Sequence, residues 1–405
     1  MVSNVKTVKK SIASLGTADL SGKKVLVRVD FNVPIREGII TDDSRIRANL
    51  DTIHYLLENN ATVILISHLG RPKGGVISDF SLLPVANRLS ELLNQPVTMT
   101  DSCIGRDVEK TIQKAENQDV ILLENIRFHS EEVENDEKFA QTLAQLCDLF
   151  VQDAFGTVHR RHASTAGIAR FIPAYAGLLL DKELTVLNQL ITNPKRPFVA
   201  IIGGSKVSSK LGCLETLLDN VDTLIIGGGM VYTFLKVQGI EIGKSLCEDD
   251  QFDAARSFLE KAKNSQTKVL FPSDHCVVSE FNGTAKLSVV STDQIPKNQL
   301  GIDVGPMTVK AIQEELSHAE TILWNGPLGV FVIPEFSKGT VAIAHTLADS
   351  NAITVIGGGD SAAAIKEAGL SDKMTHISTG GGASLAFLSD QNLPGLNILE
   401  DQYLI

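Results

Sequence analysis

Nine short apolar runs rich in Val, Ile and Leu punctuate the chain: KKVLVRVDFN, ATVILISHLG, QDVILLEN, DLFVQDAFG, PFVAIIGG, DTLIIGGG, KVLFPSDH, TILWNGP and AITVIGGG. Between them lie longer stretches in which apolar residues recur every three or four positions. Such runs, bounded by glycine or polar clusters, predict buried strands, and their alternation with helical period predicts parallel sheets covered by helices. Across residues 175–191, YAGLLLDKELTVLNQLI, the residues Leu180, Leu184, Leu187 and Ile191 fall at helical spacing before NPKRP stops the pattern. The reading is an α/β protein of two similar-sized lobes, each a mostly parallel sheet covered by helices, with residues 1–174 as the first lobe, 175–191 as a linking helix and 192–391 as the second lobe.

In open sheets of this Rossmann-like kind, ligands bind beyond the carboxyl ends of the strands. The residues following the runs of the first lobe include Asp30, Asn32, His68, Arg71, Asn125, Arg127, Asp153, Arg160 and His162, with Arg45 in the loop after the first run. Guanidinium forks match carboxylate and phosphate geometry, so this set suits a small anion. In the second lobe the equivalent positions carry Gly203, Gly204, Ser205 and Lys206, then Gly227, Gly228 and Gly229, Asp274, Asn325, the triplet Gly357, Gly358 and Gly359 with Asp360, and Thr379 followed by three glycines. Glycines let backbone amides approach a polyphosphate, and a helix starting just after them adds its positive end. One anion site and one nucleotide-phosphate cradle together suggest phosphoryl transfer between two substrates.

Charge sharpens this contrast. With 37 Lys and Arg against 48 Asp and Glu the chain carries a formal −11, which argues against a nucleic-acid binder. Yet eleven of the thirteen arginines lie within residues 28–170. A content of 43% apolar and 21% charged residues is ordinary for a globular chain, and 405 residues suffice for two or three domains. The five cysteines form no CxxC pair and are odd in number, so neither a disulfide framework nor a zinc cluster is expected. Reduced thiols, no apolar stretch of about 18 residues and no leader-like N-terminus lead to the expectation of a cytoplasmic protein with no membrane or nucleic-acid partner.

Several local patterns compete with that reading. Residues 239–245, GIEIGKS, have three residues between the glycines where a P-loop needs four, so a surface loop is expected. The GGGDSA segment at 357–362 satisfies a loose dinucleotide-binding form, but the acidic residue expected about 20 positions on is replaced by Thr379 and glycines. His159 and His162 have an HxxH spacing, but the intervening Arg160 and Arg161 would repel a metal ion. Arg36, Arg88 and Arg106, away from strand ends, are expected on the solvated surface. Lys206 and Lys210, at i and i+4, are expected on one face of a helix opening after Gly204. Asp360, among phosphate-binding amides, would be repelled unless it held a cation such as Mg²⁺; a helix N-cap is the alternative.

The blocks RVDFNVP, TDDSRIRA, SHLGRP, LLENIRFHSEE, DAFGTVHRRHAST, GGSKVSSKL, GGGMVYTF, DVGPMT, ILWNGPLGVF, GGGDS and STGGGASL resemble those of the phosphoglycerate kinase family, in that family's order over nearly the whole chain. The resemblance implies reversible phosphoryl transfer from 1,3-bisphosphoglycerate to MgADP, with no covalent enzyme intermediate, in glycolysis and gluconeogenesis. It implies a hinge-bending monomer whose first lobe binds the phosphoglycerate and whose second binds ADP or ATP, with residues 392–405 returning to the first lobe. By position, Asp30, Phe31, Asn32, Arg45, His68, Leu69, Gly70, Arg71, Arg127, Arg160 and His162 would hold the three-carbon substrate. Arg45 and Lys206 would act on the transferring group, while Gly204, Lys210, Asn325, Gly358, Gly359, Asp360 and Ser361 would hold the nucleotide, with Asp360 on Mg²⁺. A binding protein that has lost activity and a nicotinamide-dependent dehydrogenase are the other two classes.

Three positions depart from the family pattern. Val332 stands where a glutamate commonly bonds the ribose, so either Glu335 reaches in or that contact is missing. Arg161 replaces a usually small residue and adds charge near the substrate. Ala386 stands where a glutamate commonly follows STGGGASL, which bears on an interlobe or helix-start contact.

Overall fold

The computed structural model describes residues 8–282, 285–390 and 392–402. Residues 1–7, 283–284, 391 and 403–405, which the expected lobe boundaries and tail also take in, lie outside the described residues. By its internal contacts the chain divides into two units, Leu187–Gln391 and the remainder, in which the residues from Asn392 rejoin those up to Val186.

In the first unit, six parallel strands run in the order Val97–Met99, Val120–Leu122, Thr62–Ile66, Lys24–Arg28, Leu149–Gln152 and Ala174–Ala176. Thr62–Ile66 is buried throughout, as a strand covered by helices on both faces must be. Helices such as Leu50–Glu58 and Leu83–Leu93 turn Ile53, Leu56, Val85 and Leu89 onto the sheet and close one core with Val25, Val27, Val63 and Leu65. The chain end returns here. Val8–Lys9 pairs antiparallel with Asp401–Gln402, the Lys10 N–H donates to Glu400 O, and the Gly395 N–H donates to Val158 O.

In the second unit, six parallel strands run Lys268–Leu270, Thr223–Ile226, Phe198–Ile202, Thr321–Asn325, Ile353–Gly357 and His376–Ile377. Strand order reverses between Phe198–Ile202 and Thr321–Asn325, so the crevice beyond their carboxyl ends is the place for a ligand. Trp324, Ile201, Ile356 and Ile343 lie in its core. Outside this sheet, Asp274–Val278 pairs antiparallel with Ser288–Ser291 and Leu300–Val304. The apolar pattern did not announce that small sheet. All nine apolar runs of the sequence do contain a strand.

The expected linking helix is shorter at its start. Ala174–Ala176 is an edge strand of the first sheet, and the helix is Leu178–Thr192. Gly177 makes the break: its N–H continues the sheet to Gln152 O, and the buried Asp153 carboxylate accepts the Leu180 N–H at 3.0 Å to fix the first helical turn.

Candidate active site

The first unit's sheet delivers a chain of polar side chains to its carboxyl edge. Asp30, two residues past the strand Lys24–Arg28, accepts a hydrogen bond from Arg45 at 2.9 Å and lies 3.7 Å from Nδ1 of His68. Arg45 comes from the short helix Ser44–Ala48. The buried Arg28 guanidinium contacts the same His68 nitrogen at 3.2 Å and donates through Nε to Ser164 at 2.9 Å. Ser164 in turn donates its hydroxyl and its N–H to Glu132, which is fully buried. A guanidinium held out of water needs such a counter-charge close by. Gly70 is pinned from both sides: its N–H donates to Asn32 at 2.9 Å, and its carbonyl accepts from Arg127 at 2.7 Å.

Beside this chain a cavity of about 390 Å³ is lined by Arg71, Lys73, Gly74, Arg127, Ser130, Val133, Glu134, Arg160 and His162. Crowded cations disfavour further protonation. Burial, and then Arg28, Arg127, Arg160 and Arg45, hold His68 well below the usual imidazole range. Burial, and then Arg127, Arg28 and Arg160, bring His162 down to about 4. Even Arg127 is lowered to about 10, by burial and then by Arg160 and Arg28. At neutral pH these imidazoles are uncharged, and the positive charge awaiting an anion is that of the guanidiniums.

At the second unit's switch point the glycine loops pack backbone to backbone. A Cβ at Gly228, which adopts φ +69°, would collide with Gly204, and Gly326, at φ +95°, abuts Gly203. The Lys210 ammonium donates to Asn325 Oδ1 at 2.6 Å, and the other amide atom of the fully buried Asn325 has no partner. Lys210 is the N-cap of the helix Leu211–Leu218, a place where the helix dipole opposes a cation, and burial lowers its pKa. Both costs are offset by an anion. Ser361 accepts the Gly326 N–H at 2.6 Å, and the helix Gly359–Glu367 opens on Gly358 at φ +87° with its amino end free for phosphate. Next to these loops an apolar recess of about 170 Å³ is lined by Ile226, Gly227, Leu270, Phe271, Val304 and Leu328 among others.

Asp360 lies in the first turn of that helix, exposed, and has no hydrogen bond or ion pair among the described residues. Gly358 is the N-cap, so the N-cap alternative for Asp360 does not hold. No three of His, Cys, Asp and Glu are grouped to hold an ion among the described residues. A single free carboxylate fits a Mg²⁺ ion that takes its remaining oxygens from phosphate and water.

Other expectations need correction. Lys206 and Lys210 share no helix, because residues 203–210 form turns in which Ser209 bonds Lys206 O and Ser208 bonds Glu248; the helix begins at Leu211. Lys206 is exposed in this loop. Phe31 and Leu69 are core side chains, leaving only backbone to a substrate; the Phe31 N–H donates to Ser67 and the Leu69 N–H to Asn125. Asp153 and Asp274 are buried structural acids, not ligand groups. Arg88 is half-buried in a two-nitrogen contact with Asp43, whereas Arg36 and Arg106 are exposed. Arg161 lines a separate recess with Arg170, Pro394 and Asn397, outside the cavity of Arg160 and His162. Ala386 is past the first turn of the helix Gly382–Ser389. Val332 and Glu335 are both exposed, so Glu335 fills no buried ribose contact. Sequence reasoning missed Arg28, Lys73, Glu132 and Ser164. Only Arg28 gave a signal, a charge inside an apolar run.

Two doubly wound units, one presenting an arginine cavity and the other glycine loops around a half-buried lysine, define a phosphotransferase with two anionic substrates. Residues 15–391 match the family profile described as phosphoglycerate kinase. The phosphoglycerate kinase of Dictyoglomus turgidum is 53% identical over 97% of this chain and 100% of its own, and that of Rippkaea orientalis is 54% identical over 97% and 99%. The solved structure of phosphoglycerate kinase from Coxiella burnetii superposes with a TM-score of 0.85 at 44% identity, covering 96% of this chain and 98% of that one. That from Pyrococcus horikoshii gives 0.82 at 32%, covering 94% and 96%. The chain belongs to the phosphoglycerate kinase family. Its activity is that family's reversible, direct phosphoryl transfer from 1,3-bisphosphoglycerate to ADP, giving 3-phosphoglycerate and ATP in glycolysis.

Proposed function

We propose that the first unit's polar chain and cavity hold the three-carbon phosphate through Asp30, Asn32, Arg45, His68, Gly70, Arg71, Arg127, Arg160 and His162. Phe31 and Leu69 contribute through their backbone. In the second unit, Gly204, Lys210, Asn325, Gly358, Gly359, Asp360 and Ser361 hold the nucleotide. The observation that carries this reading is the set of guanidiniums around two imidazoles kept neutral, a charge arrangement stabilised by an anion.

Phosphoryl transfer needs positioning and neutralisation of the charge on the equatorial oxygens. The acceptor is already an ionised carboxylate or diphosphate, so no general base is required. That agrees with imidazoles too weakly basic to take up a proton near neutral pH. Arg45, tied to Asp30, is the first unit's contact to the transferring group, and the exposed Lys206 is the second unit's. Asp360 would hold a Mg²⁺ ion, which would supply charge neutralisation at the nucleotide phosphates. An acyl phosphate hydrolyses readily, so hinge bending about Leu178–Thr192 that excludes water belongs to the cycle. The enzyme acts as a cytoplasmic monomer in this reading; no helix among the described residues is long and apolar enough to cross a membrane.

The deciding experiment is turnover with 3-phosphoglycerate and MgATP, the acyl phosphate being removed by a coupled reductive step. Arg45→Ala should lower kcat about 10²- to 10³-fold, the loss typical of one donor to transition-state charge, with the melting temperature little changed. Full turnover in Arg45→Ala would remove Arg45 from the mechanism.

A further inference from the structure

We propose that Glu132, which lines no part of the arginine cavity, is a positioning residue for the three-carbon acid, its carboxylate holding, through Ser164, the Arg28 guanidinium and the segment that carries Arg160 and His162. The inference rests on the reading that this cavity holds the phosphoglycerate. Three chain segments meet at the one acid. Glu132 lies in the short helix Ser130–Glu134, which follows closely on the turn Ile126–Phe128 that carries Arg127. Its Oε2 accepts the Ser164 N–H at 2.8 Å and its Oε1 accepts the Ser164 hydroxyl at 2.7 Å, in the helical turn Ala163–Gly167 that opens on His162. Oε1 also stands 3.6 Å from Nδ1 of His162, a ring that lines the cavity. The third segment is the strand Lys24–Arg28, whose Arg28 Nε–H donates to the same Ser164 hydroxyl at 2.9 Å.

Direction matters in this relay, because a hydroxyl has one proton and two lone pairs. With the Ser164 proton directed at Glu132, a lone pair faces Arg28, whose outer nitrogen meets Nδ1 of His68 at 3.2 Å. His68 stands 3.7 Å from Asp30, the carboxylate that holds Arg45. Glu132, Ser164, Arg28 and His68 are all buried, so bulk water does not replace a lost partner. Burial disfavours the charged forms of Arg28 and Arg127, and the Glu132 carboxylate opposes it at both. A bare counter-charge would do only that. Two bonds to one residue, placed where three segments join, fix orientation as well. The two roles pull substrate affinity in opposite directions. Neutralising a mere counter-charge leaves the cavity more positive and tightens its hold on an anion, whereas losing a positioning group turns the guanidinium away and loosens it.

The test is steady-state kinetics of Glu132→Gln and Ser164→Ala, with the Arg28 Nε–H resonance followed by proton–nitrogen correlation NMR. The amide keeps the shape of the carboxylate but turns a donor toward one of the two Ser164 donors. KM for 3-phosphoglycerate should therefore rise about tenfold, with KM for MgATP within about twofold. Ser164→Ala keeps the N–H bond to Glu132 but cuts the relay to Arg28, and should raise the same KM about threefold. In both variants the Arg28 Nε–H resonance should move upfield, as a proton that loses its acceptor does. A KM for 3-phosphoglycerate that falls or stays constant in either folded variant, a rise shared equally by both substrates, or an Arg28 resonance left in place would mark a counter-charge or a merely structural acid and overturn the proposal. Where Glu132→Gln fails to fold, Ser164→Ala decides alone by the same outcomes. Arg127→Ala separates the two claims. If it leaves KM for 3-phosphoglycerate unchanged, the reading of the cavity fails and takes this inference with it. If it raises that KM while Glu132→Gln and Ser164→Ala do not, only the inference fails.

Discussion

His162 and His275 sit in different units and reach about 4 by different routes. Arginines add to burial at His162, whereas burial alone lowers His275, against an upward pull from Asp274. In the unfolded chain such imidazoles protonate near 6.5, so unfolding below that pH takes up protons. Their contribution to stability is complete above about 6.5 and is lost as pH falls toward 4. Asp153 and Asp303 act in the opposite sense, since burial raises each to about 7 and the fold keeps a proton that the unfolded chain has given up; stability falls as pH rises from about 4 to 7. Proton NMR of the ring Cε1–H resonances should place the midpoints of His162 and His275 near 4 in the enzyme without substrate. A midpoint near 6.5 for His162 would be incompatible with its crowding by arginines. Much of this site was legible in the sequence because strand-end chemistry sits next to apolar runs, as with Asp30, His68 and Arg127. Glu132 and Ser164 were not legible: they meet Arg28 only through contacts more than 100 residues apart in the chain, and nothing local marks them.

Elements in the second unit lean on acids outside their own sequence. The helix Pro306–Ser317 has Gly305 at its N-cap, which offers no side chain; Asp274 supplies the cap from a neighbouring strand, accepting the Met307 and Thr308 N–H groups and the Thr308 hydroxyl. Asp274→Ala should cost about 3 kcal/mol, the range for breaking a buried network of charge-assisted bonds. Urea unfolding followed by the fluorescence of Trp324, the chain's single tryptophan and fully buried in this unit's central sheet, measures it. A loss under 1 kcal/mol would show that water replaces the cap. Strand existence was readable where a run of four or five apolar residues is buried on both faces. The edge strands Val97–Met99 and His376–Ile377 are too short for such a pattern, and the three-stranded antiparallel sheet lies among polar segments. The turns holding Lys206 were mistaken for helix because spacing alone cannot register the bond from Ser208 to Glu248, 40 residues away.

The whole chain is acidic while one unit concentrates the arginines, so net charge and local field have opposite signs. Raising ionic strength from about 0.1 to 1 M shortens the Debye length from about 10 to 3 Å. KM for 3-phosphoglycerate should therefore climb with NaCl while kcat changes little, as initial rates at fixed saturating MgATP would reveal. A flat KM would mean that short-range bonds, not the cavity's field, capture the acid. The two-unit plan itself was legible, because each half repeats the alternation of run and helix. The return of residues 392–402 to the first unit follows from no local pattern. That return orders events on the ribosome. Lys9 must wait for Asp401, its partner 392 positions on, which at about 5 to 20 residues per second means roughly 20 to 80 s of further translation. Most of the continuous second unit is made during that wait. The unit begun first is finished last, and a released chain ending at residue 391 would carry the whole sequence of the second unit with a first unit still lacking its final strand.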